Sequence, residues 1–220
     1  SLNDKSTGNG VMNKNSELSI VSELLKFLQS KQLYLGFKPV MWSVVERTAL
    51  AEAEIEYHEK NSKAIYVKFP IKSHKDEISV IIWTTTPWTI PCNKAIAFSK
   101  HLKYQVIEIG EDLNDLSLKN GEKIILAEDL VSSFCKTHAI EKIANISSLG
   151  IQELMNIVCE HPLKNLGYNS PVKLFESGHV NDDTGTGFVH IAPNHGIEDF
   201  EVGLKNKLDN LPTVNESGIY

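Results

Sequence analysis

The feature that most constrains the fold is an apolar run that ends abruptly in a proline-pinned cluster of hydroxyls. The run covers residues 78–82 and continues into Trp83-Thr84-Thr85-Thr86-Pro87-Trp88-Thr89-Ile90-Pro91-Cys92-Asn93. Because proline disfavours helical geometry in the residue before it, Pro87 and Pro91 should hold Thr86 and Ile90 in extended conformations. The pattern predicts a buried strand that ends in a rigid loop, with three adjacent hydroxyls at its mouth.

The residues alone leave two interpretations of this loop open. A rigid loop that presents Thr84, Thr85 and Thr86 could grip a small polar group, since binding residues concentrate on loops held by a rigid scaffold. Threonine also favours strands and proline favours turns, so a threonine-rich strand end before a proline turn is ordinary.

Short strands dominate the rest of the chain. Apolar and β-branched runs, separated by polar or glycine-containing segments, predict strands at 51–57, 64–69, 78–83, 95–98, 104–109, 123–126, 143–147, 154–158 and 172–176. Segment 51–57 alternates strictly and places three glutamates on one face, which predicts a half-buried strand with a solvated carboxylate row. Helical patterns cover 16–35, 127–138 and 197–207, the first capped by Asn15 or Ser16 and stopped by Gly36.

Many short strands with few helices predict an α+β fold, with a curved or barrel-like mixed β-sheet core and peripheral helices. We expect residues 1–15 to form a flexible leader and residues 16–37 a connecting helix that could belong to a neighbouring piece of a larger protein. Residues 38–220 then form the main domain.

Composition excludes several classes of protein. The formal net charge of −6 argues against a surface that wraps a nucleic-acid backbone, although it allows the end of a single strand to be gripped. No run of about 18 apolar residues predicts a membrane span. The three cysteines and eight histidines are scattered without metal-ligand spacing, so we expect no metal site and a reducing, cytoplasmic setting.

A second informative segment covers residues 184–200. Gly185 and Gly187 should leave one strand face bare for the close approach of a ligand or another backbone, and His190 stands at the end of that strand. Asp199 lies in the first turn of the next helix, so it could share a pocket with His190. Asp199 could instead complement the helix dipole, and His190 could be a hydrogen-bonded core histidine.

Together the two segments resemble those of one known family. In this order and about a hundred residues apart, 83–93 and 185–200 are similar to two stretches of the editing domain inserted into class I isoleucyl-tRNA synthetases. The resemblance covers most of residues 38–204. Related valyl and leucyl domains carry Thr-Thr-Arg-Pro in place of the Thr84–Thr89 segment, which favours the isoleucyl branch. The chain has no His-Ile-Gly-His or Lys-Met-Ser-Lys-Ser motif, so we expect an excised editing domain without the ATP-dependent site of the full-length ligase.

The resemblance implies a hydrolytic proofreading function. The expected reaction is deacylation of mischarged Val-tRNA(Ile), and valyl-adenylate is a further candidate substrate. Asp199 would bind the α-ammonium group, the three threonines would hold water or the terminal adenosine, and His190 would form the wall of the side-chain pocket. The remaining substrate-binding positions implied by the family are Trp88, Asn93 and Gly187.

The resemblance also implies partners and absences. The partners would be the 3′-CCA end of aminoacylated tRNA(Ile) and the remainder of the synthetase, with the protein monomeric and needing no cofactor for this domain. Many family members carry Cys-x-x-Cys where this chain has Ser43 and Glu46, so no zinc site is expected there. A module that binds the aminoacylated tRNA end without turnover, and a generic small-molecule hydrolase, are the alternatives.

Overall fold

The computed structural model describes residues 13–72, 78–114, 116–209 and 212–220. The chain divides into two compact units, Ser1–Phe37 and Lys38–Tyr220. The leader expected over residues 1–15 lies largely outside the described residues.

The described part of the first unit, residues 13–37, contains one helix, α1 (Lys14–Gln29), which buries none of its side chains. The Asn13 side chain caps it by accepting a hydrogen bond from the Asn15 N–H, 3.0 Å away. The predicted helix over 16–35 therefore begins too late and runs six residues too far. Lys31 has a positive φ of 60°, a left-handed conformation that an α-helix cannot contain, so the chain leaves the helix well before Gly36.

The second unit contains eleven strands and three α-helices among the described residues. The strands are β1 (Trp42–Ser43), β2 (Thr48–Ala49), β3 (Ile65–Pro70), β4 (Ile78–Thr84), β5 (Ala95–Phe98), β6 (Tyr104–Ile109), β7 (Lys123–Ala127), β8 (Ile143–Leu149), β9 (Val158–Cys159), β10 (Val172–Glu176) and β11 (Phe188–Ile191). The helices are α2 (Val131–Thr137), α3 (Ile151–Met155) and α4 (Ile197–Lys205).

Nine of these strands form two mixed sheets. The larger sheet has the order β3-β4-β7-β6-β8, with β4 and β7 parallel and the other pairs antiparallel. The smaller sheet has the order β11-β5-β10-β9, with only β5 and β10 parallel. The predicted α+β class and mixed sheet are confirmed. These nine strands do not close into one barrel, and β1 and β2 form a separate two-stranded antiparallel sheet.

The main core lies between the two sheets. Strand β5 is buried along its whole length and β4 along most of it, which explains why both read as continuous apolar runs. The largest core cluster joins Phe69 and Ile82 of the larger sheet to Phe98, Leu174 and Phe188 of the smaller one. This shared core places the end of β4 next to β11.

Two predicted strands are wrong. Residues 51–57 contain only a short 3-10 helix (Glu52–Glu54), in which the Glu54 carboxylate accepts a hydrogen bond from the Ala51 N–H at 2.7 Å. The Ala51 N–H is therefore bonded within the segment, and no strand among the described residues pairs with residues 51–57 as an alternating strand would need. Segment 154–158 is mostly helix α3 and a turn, because Gly150 begins a helix and its N–H donates to Glu153 at 3.1 Å. The periodicity of so short an apolar run cannot distinguish a strand from a helix.

The helix predicted over 127–138 also differs from the structure. Ala127 instead ends β7, a 3-10 turn (Glu128–Leu130) follows, and α2 covers Val131–Thr137. Most of the other predicted strands lie within two residues of their observed bounds.

Two helical leucines differ sharply in their expected contribution to stability. Leu154 in α3 is fully buried, whereas Leu25 in α1 is 47% exposed. Leu154→Ala should lower the free energy of unfolding by about 2–5 kcal/mol, because it removes buried methyl groups and leaves a cavity. Leu25→Ala should change it by less than about 0.5 kcal/mol. Urea denaturation followed by circular dichroism measures both, and equal losses would contradict the burial described.

Candidate functional site

A cavity of about 310 Å³ opens between the end of β4 and the segment that runs from β11 into α4. Six of the eight residues predicted for the site line it: Thr84, Thr85, Thr86, Gly187, His190 and Asp199. The two sequence segments, about a hundred residues apart, therefore form the walls of one cavity.

The threonine wall is an ordered turn. Thr84 ends β4 and is buried, and its Oγ1 accepts a hydrogen bond from the Thr86 N–H at 3.1 Å. The Thr84 and Thr86 hydroxyl oxygens lie 3.2 Å apart, while Thr85 and Thr86 are exposed. Thr86 has φ −123° and ψ 63°, outside helical geometry as Pro87 requires. Ile90 departs from the prediction, since it lies within a 3-10 helix (Pro87–Cys92) that contains Pro91.

Thr89 connects this turn to the opposite wall. Its hydroxyl donates to the Thr86 carbonyl oxygen at 2.8 Å and lies 2.9 Å from His190 Nε2. Because a hydroxyl has only one proton to donate, Thr89 must accept from His190, and Nε2 therefore carries the ring proton. His190 Nδ1 is then an acceptor, and this buried atom has no hydrogen-bond partner among the described residues.

His190 is a neutral ring at physiological pH. It is the third residue of β11 and only 6% exposed. Burial, followed by the nearby His195 and His161 side chains, lowers the pKa of His190 to about 4. The ring therefore offers a polar atom and a steric wall to the cavity without a positive charge.

Asp199 supplies negative charge on the same side of the cavity. It is half-buried in the first turn of α4, and its Oδ2 accepts a hydrogen bond from the Ala192 N–H at 2.8 Å. Burial raises the pKa of Asp199 above its usual range, and the Ala192 hydrogen bond and His179 oppose that shift. The helix dipole also favours a carboxylate here, so the dipole role and a ligand role are compatible.

The glycines act in a turn before the strand and not on its face. Gly185 and Gly187 have φ of 85° and 79°, the left-handed region that glycine adopts most readily. A Cβ on Gly187 would lie 2.3 Å from Ala127 Cβ, and one on Gly185 would contact Trp83 at 3.6 Å. The predicted bare strand face is therefore wrong, but Gly187 does allow a close approach, that of β7.

The two other predicted site residues do not line the cavity. Trp88 is 56% exposed within the 3-10 helix. Asn93 is buried and its Nδ2 donates to the Ala95 carbonyl oxygen at 2.8 Å, which fixes the start of β5. Their substrate contacts remain predictions.

Sequence reasoning missed Trp83, Thr89 and His179 as site residues. Trp83 and His179 line the cavity, and His179 Nδ1 lies 2.8 Å from Ser177 Oγ. Thr89 could have been found from its spacing. It lies three residues after Thr86, and residues three apart in a 3-10 helix lie on the same face. Nothing in the sequence brings His179 to this cavity, since it follows a glycine in a turn.

Two further observations concern the described part of the chain. No group of three or more His, Cys, Asp or Glu residues there is placed to hold a metal ion. None of its helices combines the length and apolarity needed to cross a bilayer.

The sequence over residues 3–195 matches the family model of the class I tRNA synthetases (I, L, M and V). This match covers well over half of the chain, so the chain belongs to the class I tRNA synthetases.

Within that family the chain is similar to isoleucine–tRNA ligases. It is 51% identical over 193 residues to that of Agrobacterium fabrum (strain C58), covering 86% of this chain and 20% of the relative. It is 43% identical over 213 residues to that of Pelagibacter ubique, covering 95% and 23%. The chain thus spans about a fifth of the length of the curated relatives it matches.

Two solved structures share the fold. The crystal structure of GlLeuRS-CP1 aligns with a TM-score of 0.52 and 14% identity, over 66% of this chain and 62% of that one. The editing domain of the P. falciparum cytosolic leucyl-tRNA synthetase aligns with a TM-score of 0.52 and 10% identity, over 66% and 68%. The resemblance drawn from the two motifs is therefore confirmed at the level of family, relatives and fold.

His190 makes stability depend on pH. Its folded pKa of about 4 lies below the unfolded value near 6.5, so the unfolded state binds more protons between these pH values. Stability should fall as pH decreases from about 6.5, by roughly 3 kcal/mol from His190 alone once pH reaches about 4. The raised pKa of Asp199 acts in the opposite direction, in a window that starts near its unfolded value of 3.8.

Urea denaturation at several pH values checks this prediction. His190→Gln, which keeps an N–H for Thr89, should flatten the dependence between about pH 6.5 and pH 5 by roughly 2 kcal/mol. The same slope in both proteins would show that His190 does not titrate as described.

Proposed function

We propose that this chain is the hydrolytic editing domain of an isoleucine–tRNA ligase and deacylates mischarged Val-tRNA(Ile). The observation that carries the proposal is the cavity itself, which combines a hydroxyl turn, a neutral histidine wall and a carboxylate. Isoleucine and valine differ by one methylene, worth only about 1–3 kcal/mol in an apolar pocket, a limit established with isoleucyl-tRNA synthetases themselves. A second, hydrolytic site can supply the missing discrimination.

Asp199 is the proposed anchor for the substrate ammonium. Its Oδ2 already accepts from the Ala192 N–H, which fixes the carboxylate and leaves lone pairs of both oxygens for a ligand. A bound cation favours the charged carboxylate and so offsets the burial that raises the pKa of Asp199. A charge-assisted pair at this position would place the neighbouring ester carbonyl inside the cavity.

His190 is the proposed size filter. Its ring is fixed by the hydrogen bond to Thr89 and by strand β11, so this wall cannot retreat without breaking a buried contact. Because the ring is neutral, it does not repel the substrate ammonium held by Asp199. The fixed ring would admit the valine side chain and exclude the additional methyl group of isoleucine.

The threonine turn is the proposed water and adenosine site. Thr85 and Thr86 are exposed at the cavity and can position a water molecule against the ester carbonyl. The water oxygen adds to the carbonyl carbon and the ester C–O bond to the ribose breaks. The water's protons pass to the leaving ribose oxygen and to solvent. An aminoacyl ester is already reactive, so positioning and electrostatic stabilisation can provide most of the acceleration.

The wider context of the proposal follows from the family. We infer that the partners are the 3′-CCA end of aminoacylated tRNA(Ile) and the remainder of the ligase, in the cytoplasm, with this part monomeric. ATP would serve only the synthetic site of the full-length enzyme. The net charge of −6 favours a second candidate, a module that binds the aminoacylated end weakly and without turnover. Deacylation and binding measured side by side distinguish the two.

Removing the Asp199 charge should abolish editing. Asp199→Ala, and the isosteric Asp199→Asn, should each lower deacylation of Val-tRNA(Ile) by at least about 100-fold, because the substrate ammonium loses its buried partner. Glu198→Gln is the matched control, since Glu198 is an exposed acid in the same helical turn. Release of radiolabelled valine measures the rate. Near-normal activity of both Asp199 variants would exclude the anchor role.

Truncating the histidine wall should relax selectivity. His190→Ala should allow hydrolysis of correctly charged Ile-tRNA(Ile), because the space vacated by the ring accepts another methyl group. His101→Ala, which changes an exposed histidine that does not line the cavity, should retain the preference for valine. The ratio of the two deacylation rates is the measurement, and an unchanged ratio in His190→Ala would remove His190 from the filter.

A further inference from the structure

Residues 212–220, here called the clasp, contact two segments that adjoin the cavity. The contacted residues, Trp88 and His195, do not themselves line it. The Tyr220 hydroxyl donates a hydrogen bond to the Trp88 carbonyl oxygen in the 3-10 helix. The Tyr220 ring stacks on His195, with ring centroids 6.1 Å apart and an interplanar angle of 27°. Thr213 Oγ1 lies 3.0 Å from His195 Nε2. One short segment thus touches both the 3-10 helix that follows the threonine turn and the loop between β11 and α4.

The Trp88 carbonyl lacks the regular donor of its own helix. In a 3-10 helix the carbonyl of one residue accepts from the N–H three residues later, and for Trp88 that residue is Pro91. Proline has no N–H, so the regular donor is missing at this position. The Tyr220 hydroxyl occupies the place of that donor.

The affected turn is the one that orients the site. Two residues earlier, the Thr86 carbonyl accepts both the Thr89 N–H at 3.1 Å and the Thr89 hydroxyl at 2.8 Å. The same Thr89 hydroxyl accepts from His190. A change in the pitch of this short helix at Trp88 would therefore alter the Thr86 and His190 contacts together.

The clasp is held in place by contacts of its own. Asn215 Oδ1 accepts from the Ser217 N–H at 3.0 Å and from the Ile219 N–H at 3.1 Å. The Glu216 carbonyl oxygen accepts from Trp42 Nε1 at 2.9 Å. These bonds order the segment before it reaches Tyr220, so the hydroxyl is presented to Trp88 by a folded turn.

We propose that Tyr220 is a positioning residue of the editing site, whose hydroxyl replaces the N–H that Pro91 lacks and holds the threonine turn against His190. The inference rests on the proposed editing function. Substrate anchoring by Asp199 belongs to the other wall, so loss of the hydroxyl lowers kcat by a larger factor than it raises KM.

The test is a compensation experiment on the full chain. Tyr220→Phe should lower kcat for Val-tRNA(Ile) deacylation by about threefold to tenfold, the usual range for one lost hydrogen bond, with KM within about twofold. Adding Pro91→Ala restores a backbone N–H for the Trp88 carbonyl and should return kcat to near the wild-type value. Pro91→Ala alone, and Tyr34→Phe at an exposed tyrosine outside the clasp, are the controls.

Hydrogen exchange of the Thr89 amide supplies a readout that does not depend on activity. Tyr220→Phe should accelerate this exchange, because the amide donates to Thr86 within the loosened turn, and Pro91→Ala should restore its protection. Unchanged exchange in Tyr220→Phe, or a kcat loss that Pro91→Ala does not reverse, overturns the positioning role. A wild-type chain that does not hydrolyse Val-tRNA(Ile) refutes the editing function instead, while the exchange rates still decide the role of Tyr220.

Discussion

The cavity depends on one buried hydroxyl that ties the two sheets together. Tyr104 begins β6 in the larger sheet, and its hydroxyl accepts from the Ser99 N–H and donates to the Gly187 carbonyl oxygen, each at 3.0 Å. Ser99 follows β5 and Gly187 precedes β11, so both partners stand at strand ends of the smaller sheet. Burial raises the pKa of Tyr104 to about 12, which keeps the hydroxyl protonated and able to donate. A buried polar group left unpaired costs about 1–3 kcal/mol, and this cost favours the one sheet arrangement that opens the cavity beside Gly187.

The same burial that orders this junction sets the charges at the site. His190 lies three residues beyond Gly187, deep enough that its ring is neutral and its Nε2 proton is committed to Thr89. Asp199 lies nearer the surface, where burial only partly disfavours its charge. A cavity with one neutral and one acidic polar wall suits a ligand with a single positive charge. The charges at the site therefore follow from how deeply the β11–α4 segment buries His190 and Asp199.

The sequence predicted the central strands and three groups that line the cavity, and its predictions failed where contacts between distant residues decide the structure. Strands β4, β5 and β6 were predictable because their apolar runs reflect burial on the shared core. The threonine turn, His190 and Asp199 were predictable because each lies at the end of a recognisable element. The segment 51–57 has strand periodicity but no partner strand, and Leu154 lies in a helix begun by a Gly150–Glu153 cap. His179 gains its place only from tertiary packing, for which the local pattern carries no signal, whereas the position of Thr89, three residues after Thr86, is visible in the sequence.

The residues that line the cavity are weak bases, and this explains why many contacts around the cavity fix the positions of its side chains. A histidine with a pKa of about 4 is a poor proton acceptor, and the carboxylate of Asp199 is proposed to be occupied by the substrate ammonium. The proposed hydrolysis would draw on correct placement of water and carbonyl, which can contribute about 7–11 kcal/mol when the geometry is accurate. Accuracy of that kind requires the threonine turn to be over-determined. It is held by Pro87 through backbone restriction, by Thr89 through two hydrogen bonds and by Tyr220 through the Trp88 carbonyl. Pro91 restricts the backbone of this 3-10 helix and also removes the N–H that would bind the Trp88 carbonyl oxygen. The Tyr220 hydroxyl, from a distant segment, donates to that oxygen instead.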